Sequence, residues 1–160
     1  MSPKANPTSA EELLDFLLLQ QGFDVESLNE KGETPLLAVV QHQHSERATR
    51  LLIERGANPC FHQSASGGLC PLVASVRKRT CDTCREFSTW LPRDWFRGNC
   101  TNPYTFQILL QGMEERGIPW DVVEPQLRDA MVTAERDGAD GDVIKALRKW
   151  YWRKRYPVPA

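Results

Sequence analysis

The side chains whose types and spacing could support chemistry here are cysteines and histidines, and most lie in the middle of the chain. Cys81 and Cys84 form a Cys-x-x-Cys, a spacing that lets two thiolates grip one zinc ion from a tight turn. A closed structural site requires two further ligands, for which Cys60, His62, Cys70 and Cys100 are available. Their separations are irregular and there is no second Cys-x-x-Cys, so the expected state is unliganded, partly buried thiols, with no cofactor. Zinc held by Cys60, Cys70, Cys81 and Cys84 is the alternative. A redox pair is disfavoured because no strand–helix–strand pattern surrounds the motif. His42 and His44, two apart in QHQHSE, could chelate weakly or sense pH, but surface turn residues are the expected role. No Gly-x-Ser-x-Gly elbow, phosphate-cradling Gly-x-x-x-x-Gly-Lys or His-Glu-x-x-His occurs. The carboxylates are scattered over predicted helix surfaces, where solvated charge is their usual meaning. Catalysis is therefore disfavoured.

Two stretches carry recognition chemistry instead. Residues 145–156 interleave Lys145, Arg148, Lys149, Arg153, Lys154 and Arg155 with Trp150, Tyr151, Trp152 and Tyr156. Such a mixture suits phosphate contacts with stacking, or an anionic surface. It also suits a final helix with Leu147 and Trp150 turned inward and its cations near the helix C-terminus, where the dipole favours them. The second stretch, 80–103, carries Phe87, Trp90, Trp95 and Phe96 among Arg85, Arg93 and Arg97. It is too aromatic for a disordered linker. It reads as a packed flap, or as a recognition surface built from the Trp and Arg that dominate interface hot spots.

These residues need elements to position them, and composition limits the choice. With 160 residues, 41% of them hydrophobic and 26% charged, the chain is expected to form one globular domain over 1–160. A formal net charge of -1 sets up no global attraction to nucleic acid or to an anionic membrane. No apolar run approaches the ~20 residues of a membrane span. Near the N-terminus, Glu11, Glu12 and Asp15 interrupt the approach to LLDFLLL, unlike a signal peptide, so the expected location is intracellular, in cytoplasm or nucleus. Five cysteines cannot all pair within one chain, and reduced thiols are expected there.

The ordering of elements is written as a repeat. GETPLLAVV at 32–40 is echoed by GLCPLVASV at 68–76. In the first copy Thr34 is a good N-cap and Pro35 suits the first helical position, where no amide hydrogen is needed. Apolar stretches ending at Gly22, Gly56 and Gly117 mark the opposite boundary, because glycine takes the left-handed cap without a Cβ clash. From Ser45–Glu46 onward, Ala48, Leu51 and Leu52 fall at helical spacing. So do Leu127, Met131 and Ala134, and then Val143, Ile144 and Leu147. The units are a half-repeat at 9–28, a repeat at 29–61, and a repeat at 65–120 interrupted by the insertion 80–103. A final helix pair at 124–153 and a tail at 154–160 follow.

Residues 29–61, NEKGETPLLAVVQHQHSERATRLLIERGANPCF, resemble the ankyrin repeat in their Gly-x-Thr-Pro-Leu start and Leu-Leu-x-x-Gly-Ala-Asn close. Leu37 stands where that family often has histidine, and the QHQHSE turn is one residue longer; the flanking units are degenerate. The resemblance implies an all-α, ankyrin-like solenoid of about three to four helix pairs, in which neighbours bury each other's apolar faces. It also implies a module that binds another protein, as adaptor or inhibitor, through its concave loop side and, here, the aromatic insertion. The corresponding contact positions are Asn29, Glu30, Glu33, Leu37, Gln41 and His42, joined by Trp90, Arg93, Trp95 and Arg97 from the insertion. The alternative is a nucleic-acid or anionic-surface binder using Lys145, Arg148, Lys149, Trp152, Arg153, Lys154 and Arg155. A further alternative is an enzyme or small-molecule binder with a pocket under the insertion.

Overall fold

The computed structural model describes residues 22–41, 46–61, 69–77 and 104–157. Among these residues the chain is helical, with six α-helices and no β-strand: α1 (Pro35–Gln41), α2 (Glu46–Glu54), α3 (Pro71–Val76), α4 (Thr105–Glu115), α5 (Trp120–Arg136) and α6 (Gly141–Arg155). The N-terminal helix expected before Gly22 and the insertion 80–103 lie outside the described residues.

Local chemistry explains where these helices begin. Ahead of α1, the Thr34 hydroxyl accepts the Leu37 N–H at 3.3 Å and Pro35 takes the first helical position. At the echo of this phrase Cys70 replaces threonine ahead of Pro71. Its sulfur accepts the Val73 N–H at 3.5 Å, so a thiol does the work of the hydroxyl. For α5, extended Pro119 precedes Trp120, and the helix therefore starts earlier than Glu124. Pro125 lies inside α5 on its exposed side. Before α6, the Asp140 carboxylate accepts the Asp142 N–H at 2.9 Å.

Helix endings repeat more faithfully than helix starts. After α2, Gly56 adopts φ 107°, a conformation open to glycine and costly to branched residues. Its N–H donates to Ile53 O at 3.0 Å, and the Ala57 N–H donates to Leu52 O at 2.9 Å. This is the paired bonding of a Schellman stop. The same two bonds recur after α4, from Gly117 and Ile118, and after α5, from Gly138 and Ala139. In two of the stops the apolar residue after the glycine is buried: Ala57 and Ala139. An Asx turn then follows Gly22, Gly56 and Gly138. The side chains of Asp24, Asn58 and Asp140 accept the N–H two residues on, each at 2.9 Å. Pro119 occupies that place after Gly117, and the turn is absent there.

Packing joins the helices two by two and then side by side. α1 packs on α2, α3 on α4, and α5 on α6; α1 also packs on α3, α3 on α5, and α2 on α4. α1, α3 and α5 thus make one row, with α2 and α4 side by side behind it. The core runs through both, from Leu36, Leu37 and Leu52 through Leu72, Leu109 and Leu110 to Leu127 and Leu147. Hydrocarbon removed from water in this way supplies the main driving force for the fold. The α2–α4 contact is especially close: a Cβ built on Gly112 would sit 2.8 Å from Ile53 Cγ2. Beside it, Arg116 Nη2 donates to Ile53 O at 3.1 Å, a second donor on the carbonyl that also accepts the Gly56 N–H.

Candidate partner-binding surfaces

The turn before α1 is held by its own side chains. Asn29 Oδ1 accepts the N–H groups of Lys31 and Glu33 at 2.9 Å each, and the Gly32 N–H donates to Asn29 O at 2.8 Å. The Glu33 carboxylate accepts from Asn29 Nδ2 at 3.0 Å and from Gln41 Nε2 at 2.9 Å. Three of the expected contact residues, Asn29, Glu33 and Gln41, are therefore one hydrogen-bonded group, and Glu30 is exposed on the turn. Leu37 is not with them. It is 0% exposed in the core between helices, so it presents nothing to a partner, and its assignment as a contact residue is withdrawn. His42, Trp90, Arg93, Trp95 and Arg97 lie outside the described residues, as does the region beneath the insertion.

A surface that the sequence pattern did not single out lies on the same row of helices. A groove of about 380 Å³ runs along the seam where α3 packs on α5, with Leu69, Val73 and Arg77 on one wall and Asp129, Val132 and Arg136 on the other. Val132 is 64% exposed there. Its signal was present but weak: it sits off the Leu127–Ala134 core stripe, with Asp129 three residues before it and Arg136 four after. In an α-helix those positions share its face.

The basic string 145–156 is divided by the helix that carries it. Arg155 and Tyr151 meet α5 at Glu124. The Tyr151 hydroxyl donates to Glu124 Oε1 at 2.9 Å, and Arg155 and Arg128 donate to the same oxygen at 2.8 and 2.9 Å. Tyr151 in turn accepts from Arg155 at 2.5 Å and Arg128 at 3.2 Å. These donors, the tyrosine hydroxyl foremost, hold the Glu124 carboxyl below its ordinary range. Arg148 pairs with Glu135 at 2.6 Å, and Lys145 with Asp142 at 3.4 Å. On the other side of α6, Arg153 and Lys154 share Glu114 of α4. Among the described residues Lys149 has no carboxylate partner. The aromatics divide likewise. Trp150 meets Trp120 at 6.0 Å and lies under Lys154, whereas Trp152 stacks on Tyr156 at 5.5 Å with both rings more than half exposed.

Of the four cysteines considered for zinc, Cys81 and Cys84 lie outside the described residues. Burial, reinforced by the neighbouring Cys70, pushes the Cys60 thiol up to about 11; burial also raises Cys70, whose sulfur already caps α3. Without a metal both are protonated near neutral pH, which makes them slow nucleophiles.

No helix among the described residues is long and apolar enough to cross a membrane. No family model, curated protein or solved structure matches the chain.

Proposed function

We propose that this chain is a small repeat module of the ankyrin kind that binds another protein, as adaptor or inhibitor, across the row α1, α3, α5 and the turn beside it. The repeat assignment draws support from the two-by-two packing, the thrice-repeated Schellman stop and the Asx turns. A single observation carries the binding assignment: Val132, at 64% exposure, stands in a groove facing Val73 and Leu69 among two arginines and an aspartate. Apolar contact at the centre with charge around it is the composition of a protein interface, where hydrophobic burial gives affinity and the rim gives specificity. The ordered Asn29–Glu33–Gln41 turn adds a surface that loses little entropy on binding. We assign Trp90, Arg93, Trp95 and Arg97 of the insertion to the same partner.

The test compares proteins retained from a cell lysate by wild-type protein, by Val132→Glu and by a chain lacking 80–103. An exposed substitution of this kind changes stability by no more than ~0.5 kcal/mol, so Val132→Glu remains folded. A partner held by wild type and depleted by roughly tenfold on Val132→Glu is the expected result. Identical retention by wild type and Val132→Glu would remove the groove from the interface.

A further inference from the structure

We infer that the groove between α4 and α6 receives an acidic, amphipathic segment of a partner protein, an inference that rests on the protein-binding reading above. The groove has a volume of about 600 Å³. Ala146 and Trp150 of α6, both half-buried, supply its apolar surface, above Phe106 and Leu110 of α4, which are buried in the core at its floor. Its charge is unbalanced. Lys149 and Arg153 line it, with Lys154 at its edge; Arg153 and Lys154 share one carboxylate, Glu114, and Lys149 pairs with none among the described residues. The opposite side of α6 is better matched, since Arg155 and Arg128 hold Glu124 and Arg148 holds Glu135. The excess positive charge of the C-terminal string therefore collects where there is also apolar surface. A ligand that complements both features carries carboxylates beside apolar anchors, as an amphipathic acidic helix does at i, i+3, i+4 and i+7.

Nucleic acid fits this groove less well. Base recognition without sequence preference relies on free aromatic faces beside the cations. Of the two rings lining this groove, Phe106 is buried, and Trp150 is already engaged by Trp120 at 6.0 Å and by the Lys154 ammonium at 5.7 Å. The exposed Trp152–Tyr156 pair stacks on itself at 5.5 Å, and Trp152 lines the α5–α6 side instead.

A random peptide library displayed on phage and selected on the full chain tests this, with the oligonucleotide dT20 as competitor. The double variant Lys149→Glu/Arg153→Glu and the variant Val132→Glu serve as counter-screens; circular dichroism and thermal melting establish that each is folded. The expected result is enrichment of peptides with Asp or Glu beside apolar anchors. Their affinity should fall by roughly tenfold or more on the double charge reversal and stay unchanged on Val132→Glu. Enriched peptides without acidic excess, or peptides that survive the charge reversal, overturn the inference. If those peptides are lost on Val132→Glu, the protein-binding reading stands without this groove. Displacement of the peptides by dT20 assigns the groove to nucleic acid and also overturns the inference. Failure of any peptide to enrich counts against both readings.

Discussion

Gly112 offers the most discriminating test of how the helices meet. Within an isolated helix, Gly112→Ala should stabilise by ~1 kcal/mol, because alanine loses less backbone entropy on folding. The structure predicts otherwise. The added methyl would lie 2.8 Å from Ile53 Cγ2 and 3.3 Å from Cδ1. Cγ2 is attached directly to a branched, stiff Cβ and cannot swing aside as the end of a long side chain would. Moving α4 away as a body would stretch the 3.1 Å bond from Arg116 to Ile53 O. Overpacking of this kind costs ~1–3 kcal/mol, so the net effect is a loss of up to about 2 kcal/mol. A double-mutant cycle separates the two terms. Ile53→Ala alone costs ~2–5 kcal/mol through the cavity it leaves. In that background Gly112→Ala should regain its ~1 kcal/mol of helix stabilisation, giving a coupling of at least ~1 kcal/mol. Urea unfolding followed by circular dichroism, with unchanged m-values, measures each corner. If Gly112→Ala stabilised wild type and Ile53→Ala protein equally, α2 and α4 would not approach as described, and the reasoning would fail.

Three further outcomes are expected. Gly56→Val should lower stability by about 1–3 kcal/mol, since a β-branched residue is strained at φ 107°; an unchanged melting temperature would exclude the left-handed stop. Glu124 has a depressed pKa in the folded chain, first from the Tyr151 hydroxyl and then from its arginines, so its stabilisation is present above the ordinary carboxylate range and lost as pH falls through the lowered value. Glu124→Gln should therefore melt below wild type near about pH 7 and converge with it as pH falls below the ordinary carboxylate range; a constant gap would contradict the assignment. Because the Cys60 thiol is shifted from 9.0 to about 11, iodoacetamide labelling of Cys60, mapped by mass spectrometry, should run roughly a hundredfold slower at about pH 8 than in unfolded chain. Equal rates would show an ordinary thiol.

Features that depend on neighbours within a few residues were legible in the chain itself. Gly56 and Gly117 end helices because the left-handed conformation is a local property of glycine, and both have positive φ. Thr34 and Pro35 start a helix for equally local reasons. Of the residues that periodicity placed on inward stripes, Leu127, Ala134, Val143 and Leu147 are buried, and Met131 and Ile144 are half-buried against the core. Periodicity began the last helix pair at residue 124, whereas α5 starts at Trp120 and carries Pro125 inside it on its exposed side.

Contacts between distant segments could not be read in the same way. Leu37 occupies a position where the repeat resemblance implied a partner contact, yet the arrival of neighbouring helices buries it. Six cations in twelve residues looked like one patch. Helical geometry sends them to different sides, and acids supplied by α4 and α5 decide which side keeps its positive charge. Propensity would mark Gly112 as a weakness, whereas its place against Ile53 makes the absence of a side chain a packing requirement. The chain by itself determined where helices start and stop, because capping and φ preference act within a few residues. Tertiary packing decided which side chains face water and which charges remain unmatched, because both depend on surfaces contributed from far along the sequence.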